Sequence, residues 1–243
     1  MGNDIKSILE AMRHNIIESR DKREMEKYGR ILQDDERDAI IEKEELQRKK
    51  DIENERIRTI YSEFIRDVPP RFKDATFSSF QCSSDKQRKT VEYLKTGGSA
   101  VIYGSNGVGK THLAYATCEY QARQGKVAGY VLAFDFFNEV RKSFSNGSTD
   151  KVVGKYHRYD LLVIDEIDKT QGTPTEFVYL YSLINERYNY MKPTILITNA
   201  TPSEFGAIIG ESALDRVASE GKVIDLTGEN YRQRKSLHSL KKE

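Results

Sequence analysis

Ser99 to Leu113 reads SAVIYGSNGVGKTHL. Its first part, Ala100 to Tyr103, is a short apolar run that predicts a buried strand. The strand breaks into Gly104-Ser105-Asn106-Gly107-Val108-Gly109-Lys110-Thr111, which fits G-x-x-x-x-G-K-[ST] at every fixed position. The glycines let the backbone curl so that successive N–H groups point at one centre. A helix predicted from His112 to Arg123 adds its positive N-terminal end. Lys110 is then expected to reach the β- and γ-phosphates of a nucleotide, and the Thr111 hydroxyl to ligate Mg²⁺.

Fifty residues on, Leu161-Leu162-Val163-Ile164-Asp165-Glu166 delivers two carboxylates at the end of an apolar strand. Ligands of a parallel sheet sit at that end of its strands. Asp165 fits the acid that holds Mg²⁺, partly through water. Glu166 fits a general base that polarises an attacking water. Pro193 to Asn199 is a further apolar strand ending in an amide. Asn199 is expected to orient the lytic water and sense the γ-phosphate, with a turn-forming Asn before Thr201-Pro202 as the plainer alternative. Its strand is expected to lie between the strands carrying the phosphate loop and Asp165, which favours that role.

Around these signals helices and strands alternate. Val127–Ala133 and Lys222–Leu226 read as strands, and Ser84–Lys95, Phe134–Arg141, Lys151–Tyr159, Thr173–Tyr190 and Ser212–Ser219 as helices. Five strands interleaved with helices predict an α/β parallel sheet. Before it, Pro69-Pro70 opens a linker in which Arg71, Phe72, Phe77 and Phe80 suit sandwiching a nucleotide base, with core packing of Phe77 and Phe80 as the plainer alternative. Basic residues Lys142, Lys151, Lys155 and Arg158 are interleaved with Phe144, Tyr156 and Tyr159. They suit single-stranded nucleic acid, or a solvated helix pair with inward aromatics.

The 243 residues carry 32% charged side chains and a net charge of +1, unevenly spread. From Asn3 to Val68 about half of the residues are charged. Apolar stripes run through Ile5, Ile8, Leu9, Met12 and Ile16, and through Ile57, Ile60, Tyr61, Phe64, Ile65 and Val68, with a thin stretch between. Two or three amphipathic helices are predicted, forming either a charged spacer or a module completed by a partner. The tail is basic, with Arg232, Arg234, Lys235, Lys241 and Lys242. No apolar run approaches the ~18 residues of a membrane span. Cys82 and Cys118 have no C-x-x-C partner, and His14, His112, His157 and His238 show no metal spacing. The expected location is the cytoplasm, with no membrane contact.

From about Pro69 to Arg234 the chain resembles the DnaC-type replicative-helicase loaders and the closely similar IstB-type transposition helper ATPases. The residues that carry this are GSNGVGKTHLA, YDLLVIDEI, LINERYNYMKPTILITNATPSEF and LDRV followed by VIDLTGENYR. Thr201-Pro202, and a charged arm without zinc-binding cysteines, look more like the loader branch. The resemblance implies an AAA+ domain over 69–243, a five-stranded parallel sheet between helices, preceded by a helical arm over 1–68. The helical lid that most AAA+ proteins carry after the fifth strand is expected to be absent. The resemblance implies weak, DNA- or oligomer-stimulated hydrolysis of ATP with Mg²⁺, the arm contacting a hexameric helicase and 134–159 contacting single-stranded DNA. It also puts an arginine finger at Arg216, reaching a neighbouring subunit, with Arg187 as rival. A transposition helper and a small-molecule kinase are the competing expectations.

Overall fold

The apolar runs around the phosphate-loop motif are strands buried on both faces. The computed structural model describes residues 2–31, 33–170 and 172–231, with side chains from residue 14 onward except Asn146. The strands are β1 (Ser99–Tyr103), β2 (Ala128–Leu132), β3 (Leu161–Asp165), β4 (Thr194–Thr198) and β5 (Gly221–Asp225), in the order β2-β3-β4-β1-β5. All pairings are parallel. The β4 strand therefore lies between β1 and β3, as expected along with the role of Asn199.

Side chains alternate across the sheet and divide its core in two. Val101, Leu162, Ile164 and Leu196 face one helical layer, while Ala100, Ile102, Leu161, Val163, Ile195 and Ile197 face the other. The first layer contains α5 (Ala133–Ser143), α6 (Thr149–Arg158), α7 (Pro174–Asn189), α8 (Pro202–Ile209) and α9 (Glu211–Ser219). The second contains α3 (Asp85–Lys95) and α4 (Lys110–Arg123). A strand covered on both faces has no polar side to show, which is why β1, β3 and β4 read as unbroken apolar runs. Burying one such Leu or Ile contributes about 1.5–3 kcal/mol. Cys118 belongs to this core, and burial pushes its thiol up to about 12.

The N-terminal region is two helices, α1 (Gly2–Tyr28) and α2 (Asp34–Asp67), the second taking in both the thin stretch and the last apolar stripe. Compact units divide inside α2, at Asn54/Glu55. The unit that starts at Glu55 includes the stripe because Phe64 and Val68 pack with Ala75, Phe72 and Tyr115, and Arg123 lies 4.4 Å over the Tyr61 ring. An arm ending at Val68 would cut through this packing. The unit up to Asn54 holds α1 against α2 chiefly by charge, Arg37 to Glu24 at 2.7 Å and Lys27 to Glu44 at 2.8 Å. Ile16, Ile17, Met25, Ile41 and Leu46 are exposed. The side chains of Ile5, Ile8, Leu9 and Met12, and the basic tail from Arg232, lie outside the described residues. No helix among the described residues is long and apolar enough to cross a membrane.

Candidate nucleotide-binding and hydrolysis site

The phosphate loop joins β1 to α4, and its shape depends on residues without a Cβ. Gly109 caps α4 in the left-handed region at φ 102°, and a Cβ there would lie 2.6 Å from the Phe80 ring. Gly104, at φ 149°, presses its missing side chain against the backbone carbonyl of Leu226. Val108 is buried in the core and pins the loop, while Ser105 and Asn106 are exposed at its crest. Lys110 is buried, and its Nζ donates to the carbonyls of Gly104 (2.6 Å) and Ser105 (3.0 Å) and to Oδ1 of Asn199 (2.8 Å). The loop is a cradle with its cation at the floor, and its shape fits a polyphosphate.

Beside it, at the end of β3, Asp165 is buried with both oxygens held. Oδ2 accepts from Thr111 Oγ1 at 2.9 Å and from the Tyr130 hydroxyl at 3.0 Å, and Oδ1 accepts from the Glu166 backbone N–H at 2.7 Å. Burial pushes the Asp165 carboxyl above its ordinary value, with the hydrogen bonds from Thr111 and Tyr130 acting against that shift. The same burial, and then the neighbouring carboxylate, drive the Tyr130 phenol well up, so it stays a donor. Thr111 and Asp165, an alcohol and a carboxylate side by side, are the hard oxygen donors that a Mg²⁺–nucleotide takes.

Glu166 turns away from the strand direction at φ 58°, a left-handed conformation that costs a non-glycine residue ~1–3 kcal/mol and is characteristic of functional sites. Its carboxylate receives Lys169 Nζ at 2.6 Å. Asn199, just past β4, is held by Asp168 from the turn after β3. The Asp168 carboxylate accepts from Asn199 N (2.9 Å), Asn199 Nδ2 (2.9 Å) and Thr198 Oγ1 (3.0 Å). Burial would raise the Asp168 carboxyl, but these hydrogen bonds outweigh it and hold it below its ordinary value. Lys110, Thr111, Asp165, Glu166 and Asn199 are thus assembled at one edge of the sheet. Asp168 and Tyr130 join them without having been expected.

The linker aromatics divide. Phe80, not Phe72, packs against the loop at Gly109. Phe72 stacks on Tyr115 (4.7 Å between centroids), and Tyr115 on Tyr130 (4.2 Å). The chain after β5 returns over the loop, where Tyr231 N–H donates to the Gly107 carbonyl at 3.0 Å and its hydroxyl to the Gln81 carbonyl.

Arg216 lies on α9 with its guanidinium 5.2 Å over the Tyr181 ring and 5.9 Å over Tyr188. It shares a cavity with Ser99 and Thr194, the first residues of β1 and β4, so it sits at the opposite end of the sheet from its own phosphate loop. Arg187 takes a different place from the one expected of a rival finger. It is fully buried, donating to the carbonyls of Tyr156 (3.0 Å), His157 (3.2 Å), Tyr159 (2.9 Å) and Pro193 (2.6 Å) and to Thr194 Oγ1 (2.9 Å). Burial lowers its pKa to about 10. Its charge meets the negative end of α6, and all of these hydrogen bonds lie inside its own chain.

In the 134–159 segment, Phe136, Phe137 and Tyr156 point into the core, whereas Phe134 and Phe144 are exposed. Lys142, Lys151 and Arg158 are exposed as well, and Lys155 pairs with Glu139 at 2.9 Å.

Residues 35–239 match the model of the IstB-like ATP binding protein family. Over 150 residues the chain is 29% identical to an insertion sequence IS5376 protein of Geobacillus stearothermophilus, covering 60% of this chain and 59% of that one. Over 160 residues it is 26% identical to the replicative helicase loader DnaC of Escherichia coli K12, covering 62% and 65%. The match thus spans less than two thirds of either relative's length. The crystal structure of the DnaC helicase loader superposes with a TM-score of 0.60 at 20% identity, over 65% of this chain and all of that one. AMPPCP-bound DnaA from Aquifex aeolicus gives a TM-score of 0.58 at 22% identity, over 73% and 56%. The likeness to these solved structures is one of fold. By the extent of the family match and the phosphate loop at its centre, the chain belongs to the IstB-like ATP binding protein family.

Proposed function

We propose that the protein is an ATPase that loads a hexameric replicative helicase onto single-stranded DNA. The observation that supports hydrolysis is the convergence of Lys110, Thr111, Asp165, Glu166 and Asn199 at the carboxyl edge of the sheet. In this reading residues 104–111 cradle the phosphates and Lys110 neutralises charge at the β- and γ-phosphates. Thr111 and Asp165 would hold Mg²⁺, which supplies further neutralisation of the phosphate oxygens. Water attacks the γ-phosphorus and passes a proton to Glu166, while the bond to the β–γ bridging oxygen breaks and ADP leaves. Arg216 of a neighbouring subunit completes the charge at the γ-phosphate. Phe80, packed against Gly109, forms the wall beside the base.

The partners follow from the surfaces. The charged helical arm, with exposed Ile16, Ile17, Ile41 and Leu46, suits a helix-in-groove contact with the helicase. Phe134, Phe144, Lys142, Lys151 and Arg158 offer exposed rings and cations to single-stranded DNA. The work is cytoplasmic. Similarity to the insertion-sequence protein supports a second reading, a transposition helper that binds duplex DNA and activates a transposase.

The deciding experiment incubates full-length protein with ATP and Mg²⁺ and a DnaB-type hexamer, or with duplex DNA alone. A stoichiometric complex with the hexamer, and ATP turnover stimulated by single strands, is the expected result. Filaments on duplex DNA with no helicase complex would favour the helper.

A further inference from the structure

We propose that Asp168 sets which end of the Asn199 amide faces the phosphates, and that Asn199 therefore acts on the attacking water as a hydrogen-bond acceptor. The proposal rests on the ATPase reading above.

The β3 and β4 strands are parallel neighbours, so the turn after one lies beside the end of the other. This places Asp168 against Thr198 and Asn199. One carboxylate oxygen accepts from the Asn199 backbone N–H (2.9 Å) and the Thr198 hydroxyl (3.0 Å), and the other from Asn199 Nδ2 (2.9 Å). The opposite end of the same amide, Oδ1, accepts from Lys110 Nζ at 2.8 Å.

An amide's oxygen and nitrogen have nearly the same shape, and its terminal torsion has a broad two-fold preference. Its orientation is therefore set by its neighbours, and here each neighbour has a single polarity. An ionised carboxylate only accepts and an ammonium only donates. Turning the amide over would set oxygen against carboxylate and NH₂ against ammonium, exchanging two charge-assisted hydrogen bonds for two repulsions. With its NH₂ committed to Asp168, Asn199 presents Oδ1 alone. One lone pair of that oxygen faces Lys110, and the other can take an O–H. A phosphate oxygen, itself an acceptor, is repelled there, whereas a water is held by its proton with its oxygen free to attack. Asp168 touches neither nucleotide nor water in this account and is a positioning residue.

The test exchanges the polarity of the pair in the full-length protein. Asp168→Asn removes the enforcement, and Asn199→Asp places two carboxylates in contact. The combined Asp168→Asn/Asn199→Asp protein restores every hydrogen bond with donor and acceptor reversed between the two side chains, still leaving an oxygen toward Lys110. Expected results are kcat lowered at least ~10-fold in each single variant, with KM and the Kd of a fluorescent ATP analogue changed less than ~3-fold. The combined variant should regain at least ~10-fold over Asn199→Asp. A combined variant no faster than Asn199→Asp, or full turnover in Asp168→Asn, overturns the proposal. The Kd of the analogue is read on every variant, so lost turnover with retained binding is distinguished from a lost fold. Wild-type protein that neither binds nor hydrolyses ATP would remove the ATPase reading, and this proposal with it. Wild-type turnover without rescue removes this proposal alone.

Discussion

The hydroxyl of Tyr130, on the edge strand β2, donates to the same Asp165 oxygen that receives Thr111, at 3.0 Å and 2.9 Å. The phenol thus holds the carboxylate from the side away from the phosphate loop, and Tyr115 stacks on its ring. Tyr130→Phe keeps the stacking and removes one hydrogen bond. A net bond of about 1 kcal/mol corresponds to ~5-fold. The Mg²⁺ concentration for half-maximal hydrolysis should rise by about that factor, with nucleotide affinity in EDTA unchanged. An unshifted Mg²⁺ titration would show that Tyr130 serves packing only.

Lys110→Ala and Glu166→Gln should fail differently. Removing the ammonium that bridges Gly104, Ser105 and Asn199 takes away the charge facing the phosphates, so ATP binding itself is lost. Glu166→Gln keeps Thr111 and Asp165 in place and neutralises only the base. It should bind ATP normally and turn over at least ~100-fold more slowly. Equilibrium binding with a fluorescent analogue, set beside steady-state hydrolysis, separates the two. Wild-type turnover in Glu166→Gln would assign the base elsewhere.

Arg187→Met should unfold the protein more easily without a specific catalytic signature. It leaves the carbonyls of Tyr156, Tyr159 and Pro193 facing an apolar side chain. At ~1–3 kcal/mol for each unsatisfied buried group, a loss of about 3 kcal/mol or more is expected in urea denaturation. Lysine at this position should not restore it, because one ammonium cannot span a guanidinium's fork.

Arg216→Ala, in contrast, should be stable and inactive. Mixed with Lys110→Ala it should regain part of the activity, since some interfaces then pair an intact loop with an intact arginine. An arginine finger is worth ~10³-fold or more in rate, so even partial rescue is measurable. No rescue in confirmed mixed oligomers, or wild-type rates for Arg216→Ala alone, would remove it from the site.

Two truncations should behave unequally. Starting the chain at Glu55 keeps Tyr61, Phe64 and Val68 on the unit that carries the phosphate loop, and its melting temperature should stay within a few degrees of full length. Starting at Pro69 removes them, strips the Arg123–Tyr61 contact and uncovers Tyr115. A loss of about 4 kcal/mol is expected from that apolar area. Equal stability of the two would show the stripe to be dispensable.

What sequence alone determined were features encoded within a few consecutive residues. A glycine-rich turn between an apolar run and a helix, and Asp-Glu at the end of another run, keep their meaning wherever the chain goes. Their backbone geometry and side-chain periodicity are local. The place of β4 between β1 and β3 was expected along with the role of Asn199. Asp168 and Tyr130 were not. Asp168 lies 31 residues from Asn199, and Tyr130 lies 35 residues from Asp165. No spacing rule links such residues, and an Asp in a turn or a Tyr in a strand is ordinary until a neighbour is known. Arg187 read as a rival arginine finger because its helix stripe gives no sign that α6 ends beside it. Only parallel pairing of β2 with β3 and of β3 with β4, setting strand ends and their turns side by side, decided those partners.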